Sequence, residues 1–360
     1  MNTLTLPSQQ DMLAAVLARD TSFDGVFVTA VRTTGIFCRP SCPAKKPRPE
    51  HVTFFASTRE ALVAGFRPCR RCRPLEARGQ APDWLRPLLA EVEADPLRRW
   101  KDADLRGLRL NPDRVRRWFL QQHDMTFHAY TRARRLALAL GRIQGGDPVT
   151  PAALDHGYDS LSGFNDAFRR FFGDAPTRSG HLRVLAVRRL PTPLGPMVAA
   201  AGDDGLHLLE FADRRMLETQ IRRLRRRLPV EFAPGSHTLL DRMAGELEEY
   251  FAGRRRDFTV PLATPGSDFQ REVWERLCEV PYGATASYSE IARDLGQPRS
   301  VRAVARANGD NRLAIVIPCH RVIGADGKLT GYGGGLWRKQ RLLDHERRNA
   351  SAAAPVPLDA

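Results

Sequence analysis

The sequence predicts a multidomain α+β chain in four folded parts: a small metal-bound α/β domain, an all-α region, a mixed α/β subdomain and a helix-rich C-terminal domain. Three observations carry that expectation. Four of the six cysteines fall before residue 80 as two close pairs. The stretch from about 84 to 181 reads as one capped helix after another, and a lone cysteine beside a histidine follows an apolar run that ends at Ile317. At 360 residues the chain is long enough for several hydrophobic cores.

The first part holds Cys38-Arg-Pro-Ser-Cys42 and Cys69-Arg-Arg-Cys72, a C-x3-C and a C-x2-C pair separated by 26 residues. Each pair can place two thiolates on one tetrahedral ion, and all-sulfur ligation of this kind favours zinc over an iron–sulfur centre. Four unrelated buried thiols would have no reason to pair so. Six cysteines in a chain of this size make a poor disulfide scaffold.

Charge adds a partner. Lys and Arg outnumber Asp and Glu by 56 to 41, for a formal charge of +15 and a pI near 10.3. A surface that basic favours a polyanion, nucleic acid first. Nearly all of it is arginine, which suits bidentate phosphate contacts but would also follow from a GC-rich coding bias. The start of the chain lacks a basic segment leading into an apolar one, and no stretch approaches the roughly 18 apolar residues of a membrane span. The expected location is the cytoplasm, with no membrane partner.

In the middle region Asn111-Pro112 reads as an N-cap followed by proline at the first helical position, and Thr150-Pro151 as a second such device. Val115, Trp118, Phe119 and then Tyr130, Leu136 and Leu138 fall at helical spacing. Gly157 suits a helix C-terminus, and Ser160 caps a helix with Phe164, Phe168 and Phe171 on one face and Arg169 and Arg170 off it. Two helices joined by a short turn, the second basic, fit a helix-turn-helix. A first unit spans roughly Ala103 to Arg117. The third region, 184–265, mixes apolar runs such as Val198-Ala-Ala-Ala with an arginine-laden helix at Gln220 to Arg227.

The C-terminal region contains Ala314-Ile-Val-Ile317, read as a buried strand that Pro318 ends, with Cys319 and His320 at its exit. Ser287-Tyr-Ser-Glu290 reads as a capping box; Gly296 and Pro298 end that helix before Ser300, and the next exposes Arg302 and Arg306. Gly331, Gly333, Gly334 and Gly335 lack a following Lys-Ser, so they read as a pocket wall rather than a phosphate loop. Cys278 reads as a small buried apolar residue. Leu75 to Pro82 reads as a linker and residues from 347 as a disordered tail.

Thr33-Thr-Gly-Ile-Phe-Cys-Arg-Pro-Ser-Cys42 and Ala64-Gly-Phe-Arg-Pro-Cys-Arg-Arg-Cys72 resemble the N-terminal domain of the Ada response proteins over residues 10 to 75. The resemblance implies that Cys38, Cys42, Cys69 and Cys72 bind Zn2+ and that Cys38 also accepts a methyl group from DNA methylphosphotriesters. It implies DNA contacts at Thr34, Lys45 and Arg67; Pro43 stands where the family often has a basic residue. Four thiolates on one Zn2+ leave a net −2 charge, which repels a phosphodiester but not a neutral methylphosphotriester. Methylation removes one charge, worth roughly 0.7 kcal/mol at ~6 Å from a phosphate in water. Summed over several phosphates, that is an affinity switch for promoter DNA.

The run His156 to Gly173 resembles the second helix-turn-helix of AraC-type regulators. Ile317-Pro-Cys-His-Arg-Val-Ile-Gly with Gly331-Tyr-Gly-Gly-Gly-Leu-Trp-Arg-Lys resembles the O6-alkylguanine-DNA alkyltransferases from about Phe269 to Glu346. That resemblance implies an AraC-like double helix-turn-helix over 84–181, a ribonuclease-H-like subdomain over 184–265 and a winged-helix-like catalytic domain over 266–346, after a zinc domain over 1–78. It makes Cys319 the alkyl acceptor, His320 its proton acceptor through a water, and Glu346 the partner that orients the histidine. Asn311 supports the turn, Tyr288 donates toward the leaving guanine, and Arg302 fills the gap left by the flipped base. A buried O6 demands that flip. A thiol near pKa 8.5 needs such a relay to act as a nucleophile.

The implied activity is single-turnover transfer of methyl groups from O6-methylguanine and O4-methylthymine to Cys319. The implied partners are double-stranded DNA, alkylated and promoter, and RNA polymerase, with the protein a monomer. Two other readings remain at this point. A zinc-containing transcription regulator would bind damage without alkyl transfer, and a Cys–His hydrolase would turn over esters or peptides.

Overall fold

The computed structural model describes residues 6–20, 23–24, 26–75, 81–214 and 216–351. Of the linker expected at Leu75 to Pro82 and the tail expected at 347–360, residues 76–80 and 352–360 lie outside the described residues.

The first part is a small sheet with two short helices. Helix α1 (Gln9–Ala18) starts where the Ser8 hydroxyl accepts from the Asp11 N–H. Strands β1 (Val28–Val31), β2 (Ile36–Cys38), β3 (Val52–Phe55) and β4 (Arg67–Pro68) form a sheet in the order β3-β1-β2-β4. Helix α2 (Thr58–Val63) is capped by Ser57 and packs over it. Val28, Ala30, Phe37 and Ala61 form one buried cluster, and Met12, Ala15, Val16, Val26 and Phe27 a second under α1. Parallel pairing of β2 with β4 sets Phe37 opposite Pro68, so Cys38 and Cys69 leave neighbouring strand ends. The register brings together pairs that are far apart in the chain.

Six helices follow: α3 (Arg86–Ala94), α4 (Asp102–Gly107), α5 (Pro112–His123), α6 (Phe127–Gln144), α7 (Val149–Asp155) and α8 (Leu161–Phe172). Asn111 caps α5 with Pro112 behind it, and Ser160 caps α8. The second expected cap is displaced: α7 starts at Val149 with Pro148 before it, so Thr150 and Pro151 lie inside the first turn. On α8 the buried ring is Phe172 rather than Phe171, because residues four and eight positions after Phe164 share its face. Leu138 is exposed, and Leu136, Ala139 and Leu140 make the inner stripe of α6.

Next, β5 (Arg183–Leu190), β6 (Met197–Gly202), β7 (Gly205–Phe211) and β8 (Val230–Pro234) form a sheet in the order β7-β6-β5-β8, antiparallel except for β5 with β8. Helix α9 (Leu217–Arg227) links β7 to β8, and α10 (Thr238–Phe251) covers the sheet. The last part contains α11 (Asp268–Cys278), β9 (Ala286–Ser287), α12 (Tyr288–Asp294), α13 (Val301–Gly309), β10 (Val322–Ile323) and α14 (Leu336–Ser351). One core runs through both parts, from Met197 and Phe211 to Val304, Ile317 and Leu342. α14 continues to Ser351, so the tail expected from 347 begins as helix. Glu346, fully buried in that helix, anchors it.

Two expectations about the last part change. Ala314, Ile315 and Ile317 are buried, but the run is not a strand. Leu313 and Ala314 touch β7 through one bridge, and the chain then turns at Ile315, whose φ is +75°. Asn311 holds that turn by accepting from the Leu313 N–H and donating to the Ile317 carbonyl. Cys278 is exposed, because Val273, Trp274 and Leu277 form the inner face of α11 and position 278 falls beside it.

Candidate functional site

Four sulfurs gather at the edge of the first sheet. Cys38 ends β2, and the Cys42 N–H donates to the Arg39 carbonyl in a tight turn. The Cys69 N–H donates to the Phe37 carbonyl at the end of β4, and the Arg73 N–H closes the second pair onto Cys69. The four Sγ atoms lie within 4.8 Å of one another, with Cys42 and Cys69 at 3.9 Å. Cys42 and Cys69 are buried while Cys38 and Cys72 are partly open to solvent. Sharing a proton with Cys42 raises the Cys38 thiol, and the same contact pulls Cys42 down to about 2. Four sulfurs this close ionise together only around a divalent cation, and four soft donors in a tetrahedral-sized cage fit zinc. The Arg39 N–H also donates to Cys72 Sγ at 3.3 Å. Thr34, Lys45 and Arg67 are all exposed near this edge, Thr34 on the β1–β2 turn and Arg67 in register with Ile36.

The second centre is a cavity of about 370 Å3, in the usual size range of ligand pockets. Its walls include Cys319, Asn311, Tyr288 and the loop from Thr330 to Gly334. Of the four glycines expected as a wall, Gly331, Gly333 and Gly334 line the cavity and Gly335 does not. A Cβ on Gly333 would meet the Arg214 guanidinium, and one on Gly334 would meet the Phe211 ring. Cys319 opens a single 3-10 turn with His320 and Arg321. Burial pushes its thiol up to about 11, against a hydrogen bond from Asn311 Nδ2 at 3.1 Å that favours the thiolate.

His320 is fully buried and its Nε2 faces Glu346 Oε1 at 2.8 Å. Burial lowers the imidazole despite that carboxylate, so the ring is neutral. Burial alone would raise Glu346, but its donors overcome that and hold it well below the usual carboxylate range. With a carboxylate on Nε2, the proton sits there and Nδ1 keeps its lone pair. Nδ1 is buried and has no hydrogen-bond partner. Tyr288 lines the cavity from the start of α12, whose Ser287–Glu290 capping box forms as expected. Arg302 stands outside the cavity on the exposed face of α13, with Arg306 one turn on.

Sequence reasoning missed five contributors. Arg321 donates to both Glu346 oxygens, at 2.9 and 3.0 Å, and Tyr250 donates to Oε1 at 2.8 Å. Lys339 is fully buried, donates to the Thr330 carbonyl at 2.7 Å, and is lowered to about 8 by burial. Glu210 and Arg214 pair in the cavity wall, and Arg214 also donates to the Gly309 and Asn311 carbonyls. Arg321 and Lys339 sat inside the motifs already singled out. Glu210 showed as a carboxylate in an apolar strand. Tyr250, on a different subdomain, left no signal.

Four family models match the chain. Residues 11–75 match a metal binding domain of Ada and residues 106–179 a helix-turn-helix domain. Residues 188–264 match the ribonuclease-like domain of 6-O-methylguanine DNA methyltransferase, and residues 268–348 its DNA binding domain. The bifunctional transcriptional activator/DNA repair enzyme Ada of Escherichia coli is 36% identical over 97% of this chain and 99% of its own length. The regulatory protein ada of Salmonella typhimurium is 37% identical over 92% of this chain and 94% of its own. Among solved structures, Mycobacterium tuberculosis OGT in complex with DNA is 41% identical, covering 46% of this chain and 94% of that one with a TM-score of 0.40.

Proposed function

The chain belongs to the Ada family of DNA repair proteins and transcription regulators, and from that premise we propose how its two sulfur centres divide the work. It is a methylated-DNA–protein-cysteine methyltransferase that binds DNA and zinc. We assign acceptance from O6-methylguanine and O4-methylthymine to Cys319, and acceptance from methylphosphotriesters to Cys38. The domains that carry these roles are 1–78, 84–181, 184–265 and 266–346.

The observation that supports Cys319 is its setting: a sulfur in a base-sized cavity, backed by a neutral histidine with a free Nδ1. The thiol proton passes through a water to His320 Nδ1, while Glu346 holds Nε2–H and fixes the tautomer. Asn311 donates to the sulfur and steadies the developing thiolate. A sulfur–carbon bond then forms as the carbon–O6 bond breaks, its electron pair going to the guanine. Tyr288, in the same wall, gives a proton to the leaving base. Arg302, projecting from α13, occupies the space vacated in the duplex. A thioether sulfur is a poor leaving group and the step supplies no further acceptor for the alkyl carbon, so each cysteine acts once.

At the other centre, zinc supplies the charge that keeps four sulfurs ionised. Cys38 is partly exposed at a strand end, so its sulfur can meet a phosphotriester, with Thr34, Lys45 and Arg67 around it on DNA. Methylation leaves the cluster one negative charge poorer, which favours promoter phosphates and switches on the helix-turn-helix region. RNA polymerase is the further partner this role calls for. The protein acts as a monomer in the cytoplasm, and among the described residues no helix is long and apolar enough to cross a membrane.

Peptide mass mapping after incubation with each lesion tests the division. Thioethers should appear at Cys319 with O6-methylguanine DNA and at Cys38 with phosphotriester DNA. A bare Cys319 after excess O6-methylguanine DNA ends the assignment, and an unchanged promoter gel shift after Cys38 methylation ends the switch.

A further inference from the structure

Helix α13 has a cleft on each flank. One flank gives Ala305, Asn308 and Gly309 to the cavity that holds Cys319. The other gives Ala303, Arg306, Ala307 and Asp310 to a second cleft of about 380 Å3, closed by α9 and the start of α11. Four arginines line that second cleft, Arg223, Arg227, Arg306 and Arg312, against one carboxylate, Asp310.

The carboxylate is already engaged. Arg223 pairs with Asp310 Oδ1, and Gln270 Nε2 donates to Oδ2 at 3.0 Å. Arg227 donates only to neutral acceptors, the Pro265 carbonyl at 2.9 Å and Gln270 Oε1 at 3.1 Å. Arg312 is 5% exposed, gives Nη2 to the Pro265 carbonyl, and leaves Nη1 buried without a hydrogen-bond partner. Concentrating this much positive charge beside a buried guanidinium is unfavourable unless an anion sits against it. A cleft with that balance of groups is built for a phosphate.

Its position says which phosphate. A helix lying in a groove of duplex DNA is bordered by the backbones of both strands. When a base from one strand swings into the cavity on one flank, the opposite flank faces the other strand. We propose that the arginine cleft between α9, α11 and α13 binds a backbone phosphate of the strand opposite the lesion. This rests on the Cys319 cavity being the base pocket. The contact extends the DNA footprint onto the α/β subdomain and holds α13 in register while the base leaves the stack.

The test uses the full-length, zinc-loaded protein with three probes: a duplex carrying one O6-methylguanine, the same lesion in single-stranded DNA, and that duplex with uncharged methylphosphonates in the opposite strand. Wild type should bind the methylphosphonate duplex more weakly, with a log–log salt slope shallower by about 0.9 for each bound phosphate that the substitution makes neutral. The Arg227→Gln/Arg306→Gln variant should bind the ordinary duplex about tenfold more weakly. It should also be insensitive to the methylphosphonates and alkylate Cys319 normally on single strands. Arg222→Gln/Arg226→Gln, which removes equal charge from exposed positions of α9 outside the cleft, should keep the methylphosphonate sensitivity. An indifferent wild type, a cleft variant that stays sensitive, or an equal weakening on single and double strands overturns the proposal. Failure of single-stranded lesion DNA to alkylate Cys319 in wild type would instead overturn the reading of the cavity itself.

Discussion

Cys38 lies half-open at a sheet edge among three other sulfurs, whereas Cys319 is buried with a single side-chain donor, Asn311, on its sulfur. On the proposed assignment, the first sulfur would be kept reactive by a cation that a short segment can hold, because only four ligands and two turns have to be right. At the second, the Arg214 and Lys339 charges favour the thiolate, but burial outweighs them. Its histidine depends on Glu346, and Glu346 depends on donors from the Cys319–Arg321 turn, from α10 and from the Gly283 N–H. A metal centre is local; a hydrogen-bonded one recruits two subdomains.

The strongest way to break this contrast is to remove the metal. Apparent binding energies of structural zinc run about 10–16 kcal/mol, comparable with the whole stability of a small domain whose core is two clusters around Phe27 and Phe37. Chelation should therefore unfold residues 6–75 and abolish methyl transfer to Cys38, while Cys319 reacts at an unchanged rate on O6-methylguanine DNA. Separate mass mapping of the two peptides reads both at once. Undiminished Cys38 methylation in the chelated protein would show that its reactivity does not depend on the metal.

Glu346→Gln strikes the other centre. It leaves the buried Arg321 guanidinium facing a neutral amide, and breaking a buried pair in this way costs about 3–5 kcal/mol. Urea midpoints should fall accordingly, and alkyl transfer to Cys319 should slow because His320 loses its fixed tautomer. Cys38 methylation should not change. A variant with wild-type stability would mean that Glu346 is not what ties α14 to the 3-10 turn.

The pH dependence of stability has two limbs at this centre. Glu346 is held below its ordinary 4.5, so its contribution is full above that pH and is lost as the medium becomes more acid. Cys319 is raised from 9.0 to about 11, so its contribution is full below 9 and is lost as pH climbs through 11, at up to about 1.4 kcal/mol per unit. Methylated Cys319 has no proton to lose. Stability–pH curves of the alkylated protein should lose the Cys319 part of the alkaline limb and keep the part due to the buried Tyr250 and Tyr332, while the acid limb stays; an alkaline limb unchanged by alkylation overturns the assignment to Cys319.

The same contrast explains what could be read from the sequence. The four-sulfur cluster was legible because spacing encodes it, and the capped helices because Asn111, Ser160 and Ser287 mark their own starts. The expectations for Cys319, His320 and Glu346 came from a motif, and the structure brings the histidine and carboxylate together. Apolar runs were less informative. Ala314 to Ile317 looked like a strand because burial makes any short apolar run look so, yet a tertiary contact with β7 and the Asn311 side chain bend it into a turn. Cys278 misled in the other direction, since one position of helical phase separates the inner face of α11 from solvent. Tyr250 was invisible because its partner lies on another subdomain.

Tyr250→Phe gives the smallest and sharpest test. It removes one hydroxyl from Glu346 Oε1 and leaves His320, Arg321 and the Gly283 N–H in place. A hydrogen bond to a charged group is worth about 1.5–3 kcal/mol, and the ring still fills its site, so stability should fall by no more than that. The carboxylate keeps Arg321 beside it and stays ionised, so the His320 tautomer holds and Cys319 should be alkylated within about twofold of the wild-type rate. Burst-free single-turnover kinetics on O6-methylguanine DNA would read this directly. A decrease far beyond twofold would mean that the hydroxyl, through Glu346, sets the basicity of the histidine. The relay would then start on α10, outside the C-terminal domain that carries the cysteine.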